Sequence, residues 1–235
     1  MERLDKVLAA TGRWSRREAK ELVRQGRVLV DGRLAASSEE KVDPAAARIC
    51  VDGENIGWQE HTYVMLHKPG GVLTATEDSR QKTVLDLLPP ELRRRGLAPV
   101  GRLDKDTEGL LLLTDDGDLT HRLLSPKYHV DKVYFARVEG ALTTADVEAF
   151  AAGITLGDGL VCRPAGLEIL TADTCLVTLQ EGKFHQVKRM LASRGKPVTY
   201  LKRLSMGPLR LDESLTPGRY RHLTQEELRA LSGEI

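Results

Sequence analysis

The chain has 235 residues, 41% of them hydrophobic and 29% charged, and its 35 basic and 34 acidic side chains leave a formal net charge of +1. Apolar residues recur along the whole chain, which argues against intrinsic disorder, and no run approaches the ~18 apolar residues of a membrane-spanning helix. The opening Met1–Lys6 has no apolar signal core, and Cys50, Cys162 and Cys175 fit neither a disulfide framework nor a zinc site, so a reduced, cytoplasmic chain without a membrane partner is expected.

Leu4, Val7 and Leu8 lie at helical spacing and predict a short first helix ending near Gly12. Ser15 followed by Glu18 has the form of a capping box, so a second helix runs from Ser15 to Gln25 with Ala19, Leu22 and Val23 inward, and Gly26 closes it. Arg27–Val30 reads as a strand, Asp31-Gly32 as a hairpin turn, and a second hairpin is expected around Arg48–Gly53. Residues 1–57 therefore form a small α+β module, followed by a linker over 58–61 and a larger domain over 62–235. In that domain Tyr63–Leu66 is a short strand stopped by Lys68-Pro69-Gly70-Gly71, and short helical pieces flank Pro89-Pro90 over Thr83–Leu88 and Glu91–Arg95. Leu110–Leu113, Lys132–Val138, Cys175–Leu179 and Leu209–Leu211 read as strands. Thr144–Gly153, His185–Arg194 and Thr224–Leu231 read as helices, while Asp115–Asp118 reads as a turn. Strands outnumber helices without strict alternation, so the fold class is α+β.

The near-zero net charge hides two basic segments. Residues 1–35 carry nine basic and five acidic side chains, and residues 181–210 carry eight basic side chains and only Glu181. Two such segments in a near-neutral chain point to a focused surface for a polyanion, although each also reads as a solvated helix face. The stretch Gly101-Arg102-Leu103-Asp104-Lys105-Asp106-Thr107-Glu108-Gly109 leads into Leu110–Leu113. A charged, glycine-bounded loop before a buried strand suits a reactive side chain, and Asp104, Asp106 and Glu108 all compete for the role. On spacing alone the loop also reads as a solvated turn. An oxygen-ligand metal loop lacks the rest of its pattern, no His lies in ligand spacing with another His or a Cys, and no phosphate-binding loop motif is present.

The loop resembles the catalytic motif of the pseudouridine synthases. The likeness is closest to the RsuA-type branch, which modifies small-subunit 16S ribosomal RNA and carries an N-terminal αL RNA-binding domain of the kind first met in a ribosomal protein. Arg3-Leu4-Asp5, Ser15-Arg16-Arg17 and Gly26-Arg27-Val28 resemble that αL motif; Lys68-Pro69-x-Gly71, Lys132-x-Tyr134 and Glu181-Gly182-Lys183-Phe184-His185-Gln186-Val187-Lys188-Arg189-Met190 resemble the family's other motifs in order.

The resemblance implies a mixed, largely antiparallel catalytic sheet flanked by helices, and isomerisation of a uridine without cofactor or metal. It implies Asp104 as nucleophile or base, Lys188 as its ion-pair partner, Arg102 as a group that helps hold the flipped-out nucleotide, and Tyr134 as the ring that stacks on the uracil. RNA contacts are expected from Arg3, Lys6, Ser15, Arg16, Arg17, Lys20, Arg24 and Arg27 in the first domain and from Lys132, Lys183, Arg189 and Arg203 in the second. His185 is expected to order its segment or meet phosphate. The partner is ribosomal RNA or an assembling ribosomal subunit, and the chain is expected to be a monomer. Large-subunit 23S RNA as substrate, or a non-catalytic assembly factor, are the competing readings.

Overall fold

A computed structural model describes residues 1–11, 13–56, 61–93 and 96–233. The chain divides into two compact units, one formed by residues 1–62 with 88–97 and the other by residues 63–87 with 98–235. The segment 88–97 thus groups with the N-terminal residues rather than with the larger domain that surrounds it in sequence. Of the expected linker, 58–60 lie outside the described residues.

In the first unit a two-residue strand β1 (Glu2–Arg3) leads into α1 (Leu4–Ala10), and α2 (Arg16–Arg24) follows. The capping box at α2 is formed: Ser15 Oγ accepts the Glu18 amide at 3.2 Å and Glu18 Oε2 accepts the Ser15 amide at 2.6 Å. Strands β2 (Val28–Val30), β3 (Arg33–Leu34), β5 (Ile49–Val51) and β6 (Glu54–Asn55) make a four-stranded sheet, and β4 (Lys41–Val42) pairs with β1. Leu4, Val7 and Leu8 of α1 meet Ala19, Leu22 and Val23 of α2 and the inward valines and isoleucine of β2 and β5 in one core. Each fully buried Leu or Val contributes about 1.5–3 kcal/mol, so this core holds the small unit together.

The second unit is built on a nine-stranded sheet. Its main path runs β11 (Gly166–Ile169), β12 (Thr174–Leu179), β10 (Lys132–Val138), β13 (Val198–Met206), β9 (Glu108–Thr114), β7 (Tyr63–Lys68) and β15 (Tyr220–His222). β8 (Ala98–Pro99) adds to β9 and β14 (Leu209–Arg210) to β13. Every pairing is antiparallel except β13 with β9, so the α+β class with a mixed, largely antiparallel sheet describes the chain. Leu110–Leu113 of β9 are wholly buried, as a continuous apolar run at a central strand position requires.

Several elements differ from the sequence expectation. Asp115–Asp118 is not a simple turn: Asp116 caps the start of α4 (Gly117–Leu124), its carboxylate accepting the Leu119 amide at 2.9 Å and the Tyr63 hydroxyl at 2.8 Å. Strand β13 has no sequence signal of its own, because Thr199, Lys202, Arg203 and Ser205 interrupt its apolar residues. Helices α5 (Thr144–Ala152), α6 (Gln186–Ser193) and α7 (Gln225–Ser232) lie where periodicity placed them, and Thr224 with Glu227 forms the second capping box. Only α3 (Pro90–Arg93) remains of the helix expected over 91–95, since 94–95 lie outside the described residues.

Candidate active site

The loop before β9 is fixed from several sides. Thr74 Oγ1 donates to the Leu103 carbonyl at 2.7 Å and accepts the Leu103 amide at 3.2 Å. From the end of β7 the fully buried Lys68 ammonium donates to the carbonyls of Pro69, Lys105 and Thr107 at 3.0, 3.1 and 2.9 Å. These three bonds satisfy all three donors of the ammonium. Burial lowers the Lys68 pKa to about 8, against the pull of Asp106, Asp104 and Glu108. Gly109 closes the loop at the parallel junction with β13: its φ is +106°, and a Cβ there would sit 2.2 Å from the Arg203 carbonyl oxygen. No other residue fits that position.

The segment 181–190 brings the opposing groups. Gln186, buried, clasps its turn by accepting the Lys183 amide at 2.9 Å and donating to Glu181 at 2.6 Å. His185 adopts a left-handed conformation at φ +50° and opens α6. Lys188, inside the first turns of α6, then places its Nζ 3.2 Å from Asp104 Oδ2 and 2.5 Å from Asp106 Oδ1. His185 Nε2 lies 3.5 Å from Asp104 Oδ1. Asp104 is a partly shielded carboxylate with a cation and an imidazole beside it. The ammonium of Lys188 holds the Asp106 carboxyl below the usual carboxylate range.

The three acids go separate ways. Asp104 and Asp106 share Lys188, while Glu108 accepts the Tyr200 hydroxyl at 2.9 Å. Burial of that phenol, helped by Glu108, pushes its pKa up to about 12. Among the described residues no group of three His, Cys, Asp or Glu could hold a metal ion.

Asp104 opens onto a cleft of about 920 Å³ whose wall includes Arg102, Tyr134, Lys132, Arg203 and His185. Tyr134 is 9% exposed and stands on β10 opposite Arg203 of β13. Arg102 is exposed on the same cleft. Three of the four residues expected from sequence, Asp104, Arg102 and Tyr134, therefore line one cavity within the second unit, and the fourth, Lys188, is paired with Asp104.

The expected RNA contacts divide into two kinds. Lys132 and Arg203 are not open surface cations but buried members of the cleft wall. Lys132 Nζ donates to the Val130 carbonyl at 3.0 Å, and its pKa is lowered by burial and by Arg203. Arg203 Nε donates to the Leu110 carbonyl at 2.8 Å. Lys183 and Arg189 are engaged with Glu181 and Asp158. In the first unit Arg3 and Arg16 both clamp the buried carboxylate of Asp5, and Ser15 commits its hydroxyl oxygen to the α2 cap. Lys6, Arg24 and Arg27 pair with Glu2, Glu21 and Asp52. Arg17 and Lys20 are exposed and make no ion pair among the described residues. Sequence reasoning did not single out His185 as a neighbour of Asp104, since a left-handed histidine at a helix start has no sequence signature.

This geometry coincides with a family match. Residues 62–193 match the RNA pseudouridylate synthase model, more than half of the chain, and residues 2–47 match the S4 domain. The chain belongs to the RNA pseudouridylate synthase family. The synthase is 50% identical to an RNA pseudouridine synthase of Bacillus subtilis, with 98% of each chain covered. It is 40% identical to the ribosomal small subunit pseudouridine synthase A of Vibrio cholerae, covering 97% of this chain and 99% of that one. A crystal structure of a pseudouridylate synthase superposes with a TM-score of 0.69 at 38% identity, covering 98% of this chain and all of that one. The synthase is thus an isomerase, and its N-terminal unit contains an S4 RNA-binding domain. No helix among the described residues is long and apolar enough to cross a membrane.

Proposed function

We propose that the synthase converts a uridine of ribosomal RNA to pseudouridine, that the RNA is the small-subunit 16S species, and that Asp104 is the group that acts on the flipped-out nucleotide. The observation that carries this reading is the Asp104 carboxylate, 26% exposed, held 3.2 Å from the Lys188 ammonium at a cleft that also presents Tyr134 and Arg102. The full-length likeness to small-subunit synthases supports the choice of RNA.

The reaction breaks the N1–C1′ bond, turns the uracil and joins C5 to C1′; the proton on C5 leaves to solvent and N1 gains one. There is no net redox change, so the chain's own groups suffice. The Lys188 ammonium, 3.2 Å away, sets a positive charge beside the Asp104 carboxylate. As nucleophile at C1′, or as base at the sugar, the carboxylate assists departure of the base. Tyr134 offers a flat wall to an extruded uracil, which has lost its neighbours in the strand. Arg102 accompanies the nucleotide from the exposed side. The N-terminal unit adds a second grip on the same RNA and raises effective concentration at the cleft. The chain acts in the cytoplasm as a monomer.

Tritium release from RNA labelled at uridine C5 tests the reading, with 16S transcript, 23S transcript and a partly assembled small subunit as substrates. Release from a small-subunit substrate is expected, and Asp104→Asn should lower it at least about 10⁴-fold while RNA binding persists. Release from 23S RNA alone would overturn the choice of RNA. No release from any substrate, with binding intact, would leave an assembly factor.

A further inference from the structure

We infer that Phe184 is a stacking platform for an unpaired nucleobase next to the target uridine, and so a substrate-binding residue of the synthase. The inference rests on the proposed RNA reading of the cleft and deepens it. Phe184 is 72% exposed, whereas Phe150 is completely buried. Its ring lies against the imidazole of His185, with centroids 3.8 Å apart and planes only 17° from parallel. His185 is itself fixed by its left-handed backbone at the start of α6 and stands 3.5 Å from the Asp104 carboxylate. One face of the phenyl ring is therefore occupied by a group tied to the reacting centre, and the rest of the ring is left in water.

Both aromatic residues of this stack line the cleft, together with Tyr134 and Arg102. Tyr134 is nearly enclosed and belongs to the depth of the wall; Phe184 belongs to its rim. The two rings thus suit different bases. A uridine drawn in against Tyr134 leaves its neighbours without a stacking partner, and an open ring at the rim replaces that partner. The nearby cation Lys183 does not compete for the ring, because its ammonium is engaged by the Val161 carbonyl and Glu181. Every base has a π-face, so the contact tolerates sequence but favours the larger purines.

The experiment uses the full chain and small-subunit ribosomal RNA transcript, comparing wild type with Phe184→Ala, Phe184→Leu and Phe184→Trp. Because the side chain is exposed, melting temperatures should stay together. Ala and Leu are expected to weaken RNA affinity about 10-fold, whereas Trp should stay within about threefold of wild type. The added indole should also lose emission on RNA binding, beyond any change in the two native tryptophans measured in the wild type. Wild-type affinity in the Ala and Leu variants, or an added indole blind to RNA, would overturn the platform; a fall in affinity without quenching would mean that Phe184 merely props His185. These readouts need binding only. If the wild type binds but releases no tritium from C5-labelled RNA, the pseudouridylation reading fails separately, while affinity and quenching still judge the platform.

Discussion

The same residue types do different work in the two units. In the S4-containing unit the basic side chains sit mostly on the surface, and Lys6, Arg13, Arg24 and Arg27 each hold a partly or largely exposed acid. Solvent screens exposed pairs of this kind, so each adds little to stability. In the catalytic unit a few charges are withdrawn from water and made to converge: Lys68 and Arg203 are fully or almost fully buried, and Asp104 shares Lys188 with Asp106. Desolvation makes the interactions of Lys68 and Arg203 stronger and their loss more costly. Many small electrostatic terms therefore shape the first unit's surface, and a few large ones shape the cleft.

After Asp104 itself, the largest effect expected is at Lys188. Lys188→Met removes the cation beside Asp104 and should lower turnover on the order of 10²-fold or more, read as tritium release under saturating RNA. Lys188→Arg restores the charge and should recover most of the rate, though a planar fork cannot reproduce the bridge to both carboxylates in the same geometry. Equal loss in both variants would show that shape rather than charge matters at this position.

Next in size is Lys68. Lys68→Met leaves three carbonyls of the catalytic loop without their donor and should cost about 2–4 kcal/mol of stability in denaturant unfolding. The pH dependence has a definite sign. The native pKa is lowered to about 8 from the ordinary 10.5, so between these values the unfolded chain holds a proton that the native chain has released. More protons on the unfolded state means that stability rises with pH across that window. Lys68→Met should remove this rise, so the difference between the two proteins should widen as pH climbs from 8 towards 10.5.

One place in the first unit behaves like the cleft. Asp5 is fully buried and accepts hydrogen bonds from Arg3 and Arg16, which hold its carboxyl below the usual carboxylate range. Asp5→Ala removes the acceptor of these charge-assisted hydrogen bonds and should destabilise that unit by about 1–3 kcal/mol, more than removal of any exposed pair. A depressed native pKa stabilises the fold above the ordinary carboxylate pKa, and that share disappears as pH falls through the native value. Acid titration of wild type against Asp5→Ala, followed by a tryptophan signal from the N-terminal unit, checks the sign.

Elements with one dominant signal were legible in the sequence. The capping boxes at Ser15 and Thr224, the inward stripe of α2 and the buried run Leu110–Leu113 each follow from local rules and are present. The gathering of Asp104, Tyr134 and Arg102 at one cleft, with Lys188 paired to Asp104, was legible only through motif order, because long-range contacts leave no periodicity. What escaped depends on tertiary context. Asp116 looks like part of an acidic turn until Leu119 and Tyr63 show it as a helix cap. The strand β13 is obscured by Lys202 and Arg203, and Arg203 is buried where its backbone passes close to Gly109. Arg3 and Arg16 read as RNA contacts in a basic segment, yet a buried acid at position 5 claims both.

The smallest effect sharpens the comparison most. Arg17 and Lys20 are exposed on α2 and make no ion pair among the described residues, whereas Arg24 and Arg27 are already paired. A cation that must first leave its acid gives less net attraction to a phosphate than one that is free. Arg17→Gln with Lys20→Gln should therefore weaken RNA binding several-fold and reduce the slope of log affinity against log salt by about 1–2, one contact or so per cation. Arg24→Gln with Arg27→Gln, which removes the same formal charge, should change the slope by less than half as much. Equal slopes for the two double variants would mean that the surface pairs open on RNA and that all four cations count alike; the distinction between paired and unpaired surface charge would then hold only for the free protein.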